Sequence, residues 1–85
     1  MASNDLTPLR KARHARGLSQ QELGRKVGTD SGNISRIEKE DQVPSHKLAE
    51  RITAFLKDVG LDDERMIFYP ERYKHWTPKT AGTGV

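Results

Sequence analysis

The chain contains no cysteine, which excludes a disulfide framework and any thiolate zinc site and fits a reducing compartment. Charged residues interrupt every window that could serve as a signal peptide or a membrane span. A soluble, cytoplasmic protein that makes no use of a membrane is therefore expected. The three histidines, His14, His46 and His75, stand at no metal-ligand spacing with one another or with acids, and neither a glycine-rich phosphate loop nor a nucleophile elbow is present. Each histidine is read as a surface residue, and neither an enzyme nor a cofactor or metal is expected. No stretch repeats, and 85 residues suffice for one domain with a small core.

Aromatic residues are also scarce, and four of the five, Phe68, Tyr69, Tyr73 and Trp76, crowd into FYPERYKHW. Two readings stay open: these rings cover the domain's own core, or they form a surface for a second copy or another protein. From Thr77 onward the chain is rich in Gly, Thr and Pro and is expected to be disordered, as is Met1 to Asp5. The expected organisation is a domain over residues 1–69 and a partly disordered extension over 70–85.

What the sequence does have is a dense set of helix starts and stops between Ser19 and Lys39. Ser19 with Glu22 three residues later is a capping box, so a helix begins at Gln20. Leu23 and Val27 lie four apart on one face, and Gly28 suits the left-handed turn that ends such a helix. Thr29 and Asp30 offer the next cap, and Ile34 and Ile37 give the following helix its apolar face. Gly24 inside the first of these helices costs up to about 1 kcal/mol relative to alanine, which predicts that another backbone comes close to it.

Similar signals flank this pair. Thr7 and Pro8 start a helix whose apolar stripe is Leu9, Ala12 and Ala15, ended by Gly17, with Arg10, Lys11, His14 and Arg16 on the other face. Leu18 stands where a hydrophobic staple would pack near Leu23. After the polar loop EKEDQV and Pro44, Ser45 caps a helix carrying Leu48, Ala49, Ile52, Phe55 and Leu56, stopped at Gly60. Asp62 is expected to cap a short fifth helix containing Met66, Ile67 and Phe68, with Asp63 and Glu64 in its first turn and Pro70 at its end. The pattern predicts an all-α, five-helix domain with a helix-turn-helix at helices two and three.

Charge is distributed unevenly. Between Arg10 and Lys39 eight Lys or Arg face three acids, a balance of +5, whereas between Glu40 and Tyr69 seven acids face four bases, a balance of −3. A basic half turned to a polyanion and an ordinary solvated face both fit this layout.

Residues 9 to 61 resemble the Cro and lambda-repressor, or XRE-type, helix-turn-helix family of phage and bacterial regulators. The likeness rests on Leu9, Arg13, Gly17-Leu18-Ser19-Gln20, Leu23, Gly28, the run from Ser31 to Ile34, Ile37-Glu38, Pro44, Leu48 and Ile52. It implies a compact lambda-repressor-like fold in which helix three enters the major groove of double-stranded DNA. By position it implies base contacts from Ser31, Gly32 and Arg36, with Asn33 beside them, and phosphate contacts from Gln20. Arg36 suits guanine best, because it can donate twice to O6 and N7. The cations Arg16, Arg25 and Lys39, with Lys26 and Arg10, are further phosphate candidates. The likeness also implies an ion pair between Arg13 and Glu38, for which the planar arginine fork is well shaped.

One departure stands out. Where the family commonly has glycine and then basic residues after the glutamate of helix three, this chain has Lys39, Glu40, Asp41 and Gln42. An acidic loop repels phosphate, so it is expected either to turn away from DNA or to leave binding weak and salt-sensitive. The function implied is a small phage or prophage repressor in a bacterial cell, binding a palindromic operator as a homodimer. The alternative is an antitoxin-type interaction module whose aromatic tail holds a partner protein. Stacking of RNA on Arg72, Tyr73, Lys74 and Trp76 is a weaker third reading.

Overall fold

Each of the first four helices begins at a side-chain oxygen that takes a free backbone amide. In the computed structural model, which describes residues 7–79, Thr7 Oγ1 accepts from Arg10 N at 3.3 Å and Ser19 Oγ from Glu22 N at 3.0 Å. Asp30 Oδ1 accepts from Asn33 N at 2.7 Å and Ser45 Oγ from Leu48 N at 3.2 Å. These caps start α1 (Pro8–Ala15), α2 (Gln20–Val27), α3 (Ser31–Glu38) and α4 (His46–Leu56), and each such bond is worth about 1 kcal/mol. At Ser19 the box is closed, since Glu22 Oε1 accepts from the serine's own amide at 2.8 Å. Donation from the Ser19 amide, and then from its hydroxyl, holds the Glu22 carboxyl below the usual carboxylate range.

The apolar faces chosen by helical spacing meet in one core. Leu9 and Ala12 of α1, Leu23 and Val27 of α2, Ile34 and Ile37 of α3, and Ala49, Ile52 and Leu56 of α4 are buried together with Val59, Leu61, Met66 and Ile67. Leu48 and Phe55, expected in the α4 stripe, lie half-buried at its rim. The fold is all-α, with no strand among the described residues, and no described helix is long and apolar enough to cross a membrane.

The fifth helix departs from expectation. It covers only Arg65–Phe68, here α5, and Asp62 does not cap it. Leu61 is fully buried, and its amide is tied back to Leu56 O at 3.2 Å, so the chain first turns at Asp63. Asp63 Oδ1 accepts from Arg65 N at 2.9 Å, and both of its oxygens hold the Arg65 guanidinium. The arginine keeps the Asp63 carboxyl low in pKa, and the carboxylate in turn raises that of the arginine.

The segment after Tyr69 is not loose as far as Lys79. Pro70–Tyr73 forms a 3-10 turn, and Tyr73 and Trp76 pack against the core. Lys11, expected on an open basic face of α1, instead donates through Nζ to Lys74 O at 2.8 Å and to Trp76 O at 2.9 Å. Lys79 N donates to Val59 O at 2.8 Å, and the Trp76 ring lies beside Gly60. An ammonium that satisfies two carbonyls, together with two half-buried rings, anchors the chain as far as Trp76, and the Lys79 bond to Val59 holds the described part of the stretch expected to be disordered from Thr77 on. The expectations for Met1 to Asp5 and for residues 80–85 lie outside the described residues.

Candidate nucleic-acid interface

The close approach of α2 to the turn before α3 depends on Gly24. A Cβ there would stand 2.9 Å from Thr29 O and 3.0 Å from the Asp30 carbonyl carbon, shorter than van der Waals contact between backbone and side chain allows. The glycine predicted to face another backbone does face one, the start of the next helix.

A buried polar cluster then fixes α3 from below. Arg13 Nε donates to Glu38 Oε2 at 2.6 Å and Arg13 Nη2 to Glu38 Oε1 at 3.1 Å. The two side chains are only 9% and 1% exposed. Arg13 Nη1 also donates to Leu18 O at 2.8 Å, and Gln20 Nε2 donates to Glu38 Oε1 at 3.1 Å. One carboxylate at the end of α3 is therefore bound by α1 and by the first residue of α2. Two parallel charge-assisted bonds give this contact a fixed geometry.

With Ile34, Ile37 and Glu38 turned inward, α3 presents Ser31, Gly32 and Arg36 to solvent, with Asn33 half-buried. Arg36 does not stand alone. Its Nε donates to Gln42 Oε1 at 3.0 Å, Gln42 Nε2 donates to Asn33 Oδ1, and Asn33 Nδ2 donates to Thr29 Oγ1 at 2.8 Å. The Arg36 guanidinium lies over Gly32, whose absent Cβ would sit 3.7 Å from Nη1. A Cβ at that distance would make ordinary contact with the guanidinium, so the arginine's path along the helix does not depend on glycine.

The cations assigned to phosphate separate into two groups. Arg25 and Lys39 are exposed, and Arg25 borders a cleft of about 260 Å³ with Gln21, Thr29, Asp30 and Ser31 at the turn between α2 and α3. Lys26 and Arg10 are exposed as well. Arg16 is not brought to α3: its Nη1 donates to Phe55 O at 3.0 Å and to Asp58 Oδ1 at 2.9 Å, and its guanidinium lies 4.6 Å from the Phe55 ring centroid. A carboxylate, a carbonyl and an aromatic face hold that arginine against Phe55 and Asp58. Gln20 spends one amide hydrogen on Glu38, so its bracing contact is internal.

Of the aromatic group, Phe68, Tyr73 and Trp76 pack on the core, while Tyr69 is 49% exposed. Sequence reasoning did not single out Gln42. It lies in a loop without periodicity, and only the way α3 ends returns it to the helix. Lys39 is the C-cap of α3; beyond it Glu40 N donates to Ile37 O at 3.0 Å and Asp41 N to Arg36 O at 2.8 Å, with Glu40 at φ 63°. This reverses the chain over Arg36.

Comparison with known proteins agrees with this geometry. A family model described as helix-turn-helix matches residues 9–63. No curated protein and no solved structure matches the chain. The matched residues contain α1 from Leu9 on; α2, α3 and α4 with their caps; and Gly24, the Arg13–Glu38 pair and the exposed face of α3. The chain belongs to the helix-turn-helix family of the Cro and lambda-repressor, XRE type, and is a DNA-binding transcription regulator.

Proposed function

We propose that the protein is a sequence-specific repressor, of phage or prophage origin, which binds a palindromic operator as a homodimer. The observation that carries this reading is the outward face of α3, where Ser31, Gly32 and Arg36 are exposed on a helix whose other face is fixed by core packing and by Glu38. Arg36 is the principal base reader, by two donations to guanine, with Ser31 able to donate or accept and Gly32 allowing close approach. Asn33 stands beside them. Arg25 and Lys39 take phosphates, while Gln20 braces the helix that does the reading.

Dimerisation serves this function because one short helix reads few base pairs, and two copies one DNA turn apart read an inverted repeat. Of the aromatic residues suggested as an interaction surface, Tyr69 has the ring most open to a second copy, and Val43, 73% exposed, is the other large exposed apolar side chain among the described residues. Phe68, Tyr73 and Trp76 are largely committed to the chain's own core, which favours DNA regulation over a module whose aromatic tail holds a toxin.

Selection of bound duplexes from random DNA at moderate salt tests the proposal. Enrichment of an inverted repeat with half-sites roughly 10 base pairs apart, centre to centre, is expected. Enrichment of no motif contradicts sequence-specific binding, and enrichment of a single half-site contradicts the dimer.

A further inference from the structure

The geometry points to Gln42, in the loop after α3, as the positioning residue that sets how Arg36 meets DNA, a contribution to sequence specificity made without touching a base. The inference rests on Arg36 as the base reader and adds a residue that the family likeness does not supply.

Donor and acceptor chemistry gives the side-chain chain one direction. Arginine Nε can only donate, so the Gln42 oxygen must be the atom facing it, at 3.0 Å. The Gln42 nitrogen then faces Asn33 and needs an acceptor, which is Asn33 Oδ1. That turns the Asn33 nitrogen to Thr29 Oγ1, at 2.8 Å. Both amide orientations follow from the arginine. Four side chains, from the turn before α3 to the loop after it, form one ordered row along the exposed face.

Two consequences follow for recognition. Arg36 uses one of its five N–H groups on Gln42, and the four on Nη1 and Nη2 remain to donate to a guanine edge. A free arginine must lose its side-chain mobility on binding, and a tethered Nε has lost part of it beforehand. Asn33, by contrast, already has a partner at each end of its amide and is half-buried. It acts as a link in the row more than as a reader. The acidic loop is thereby given a role: the reversal at Glu40 and Asp41 delivers an uncharged amide to the helix and leaves the Glu40 side chain bordering a cleft toward α5, with Val43, Ile67 and Phe68.

The test measures binding of wild type, Gln42→Met, Arg36→Ala and the double variant to a selected duplex, to that duplex changed one base pair at a time, and to a random duplex. Methionine keeps the length of the side chain and removes its amide. Gln42→Met is expected to weaken binding to the selected duplex by roughly three- to tenfold, the range of one or two hydrogen bonds. Binding to the random duplex and the thermal unfolding midpoint should not change. The loss should fall at the base pair where Arg36→Ala loses discrimination, and Gln42→Met should add nothing in the Arg36→Ala background. Equal losses on both duplexes, with or without a lower midpoint, overturn the proposal and assign Gln42 to the fold or to phosphate contact. No loss alongside a clear Arg36→Ala effect overturns it while leaving Arg36 as the reader. Unchanged discrimination in Arg36→Ala overturns both.

Discussion

Glu38 is where three helices share one carboxylate. Its side chain is 1% exposed and receives Arg13 Nε, Arg13 Nη2 and Gln20 Nε2. Removing it strands a nearly buried guanidinium, so Glu38→Ala should lower unfolding stability by about 3 kcal/mol, measured by urea denaturation. Replacing both partners with apolar residues, Arg13→Met with Glu38→Leu, should recover most of that loss, because the desolvation cost of both charges disappears. A loss below about 1 kcal/mol for Glu38→Ala would show that the pair behaves like a surface contact. At this scale the sequence revealed which residues matter better than what their atoms do. Arg13 and Glu38 lie four residues after the core positions Leu9 and Ile34, a helical spacing that turns both inward. Nothing local, however, shows that Arg16 reaches Phe55 and Asp58 or that Lys11 reaches Lys74 and Trp76. Those partners lie 39 to 65 residues away, and their proximity follows from the folded path alone.

Helix beginnings and ends were the most legible elements, because caps and apolar spacing act within a few residues. Ser19 with Glu22, Asp30 and Ser45 start helices by local hydrogen bonds, and Gly24 marks a contact that any Cβ would obstruct. The fifth helix was less legible. It starts at Arg65, where Asp63 accepts from the Arg65 amide, and the three acids at positions 62 to 64 do not disclose which of them does so. The end of α3 has an unusual residue. The reversals at Gly17, Gly28 and Gly60 place glycine at positive φ, whereas the corresponding position after α3 is Glu40, at φ 63°. Left-handed backbone costs a residue with a Cβ about 1–2 kcal/mol, partly offset on replacement by the greater unfolded freedom of glycine. Glu40→Gly should therefore stabilise the protein by roughly 0.5–1 kcal/mol, raising the thermal midpoint by a few degrees. A lowered midpoint would show that the Glu40 side chain contributes more than its backbone costs.

For the molecule as a whole, the helix count, the core and the outward face of α3 could be read from periodicity and the family likeness. Core packing of Tyr73 and Trp76 was one of the two readings open for the aromatic cluster, whereas the two carbonyls that Lys11 finds at Lys74 and Trp76 were not legible, because they lie more than 60 residues from it. Composition likewise could not place Gln42 beside Arg36 and Asn33. We propose that α3 reads base edges through Arg36, held from beneath by Glu38. The most direct measurement is the discrimination between the selected duplex and its single-base variants, by wild type and by Arg36→Ala, at one fixed salt concentration. Wild type should discriminate by about 1–3 kcal/mol at a guanine in each half-site, and Arg36→Ala should lose that preference there while keeping it elsewhere. If Arg36→Ala retains the same preference at every position, that contradicts base reading by Arg36.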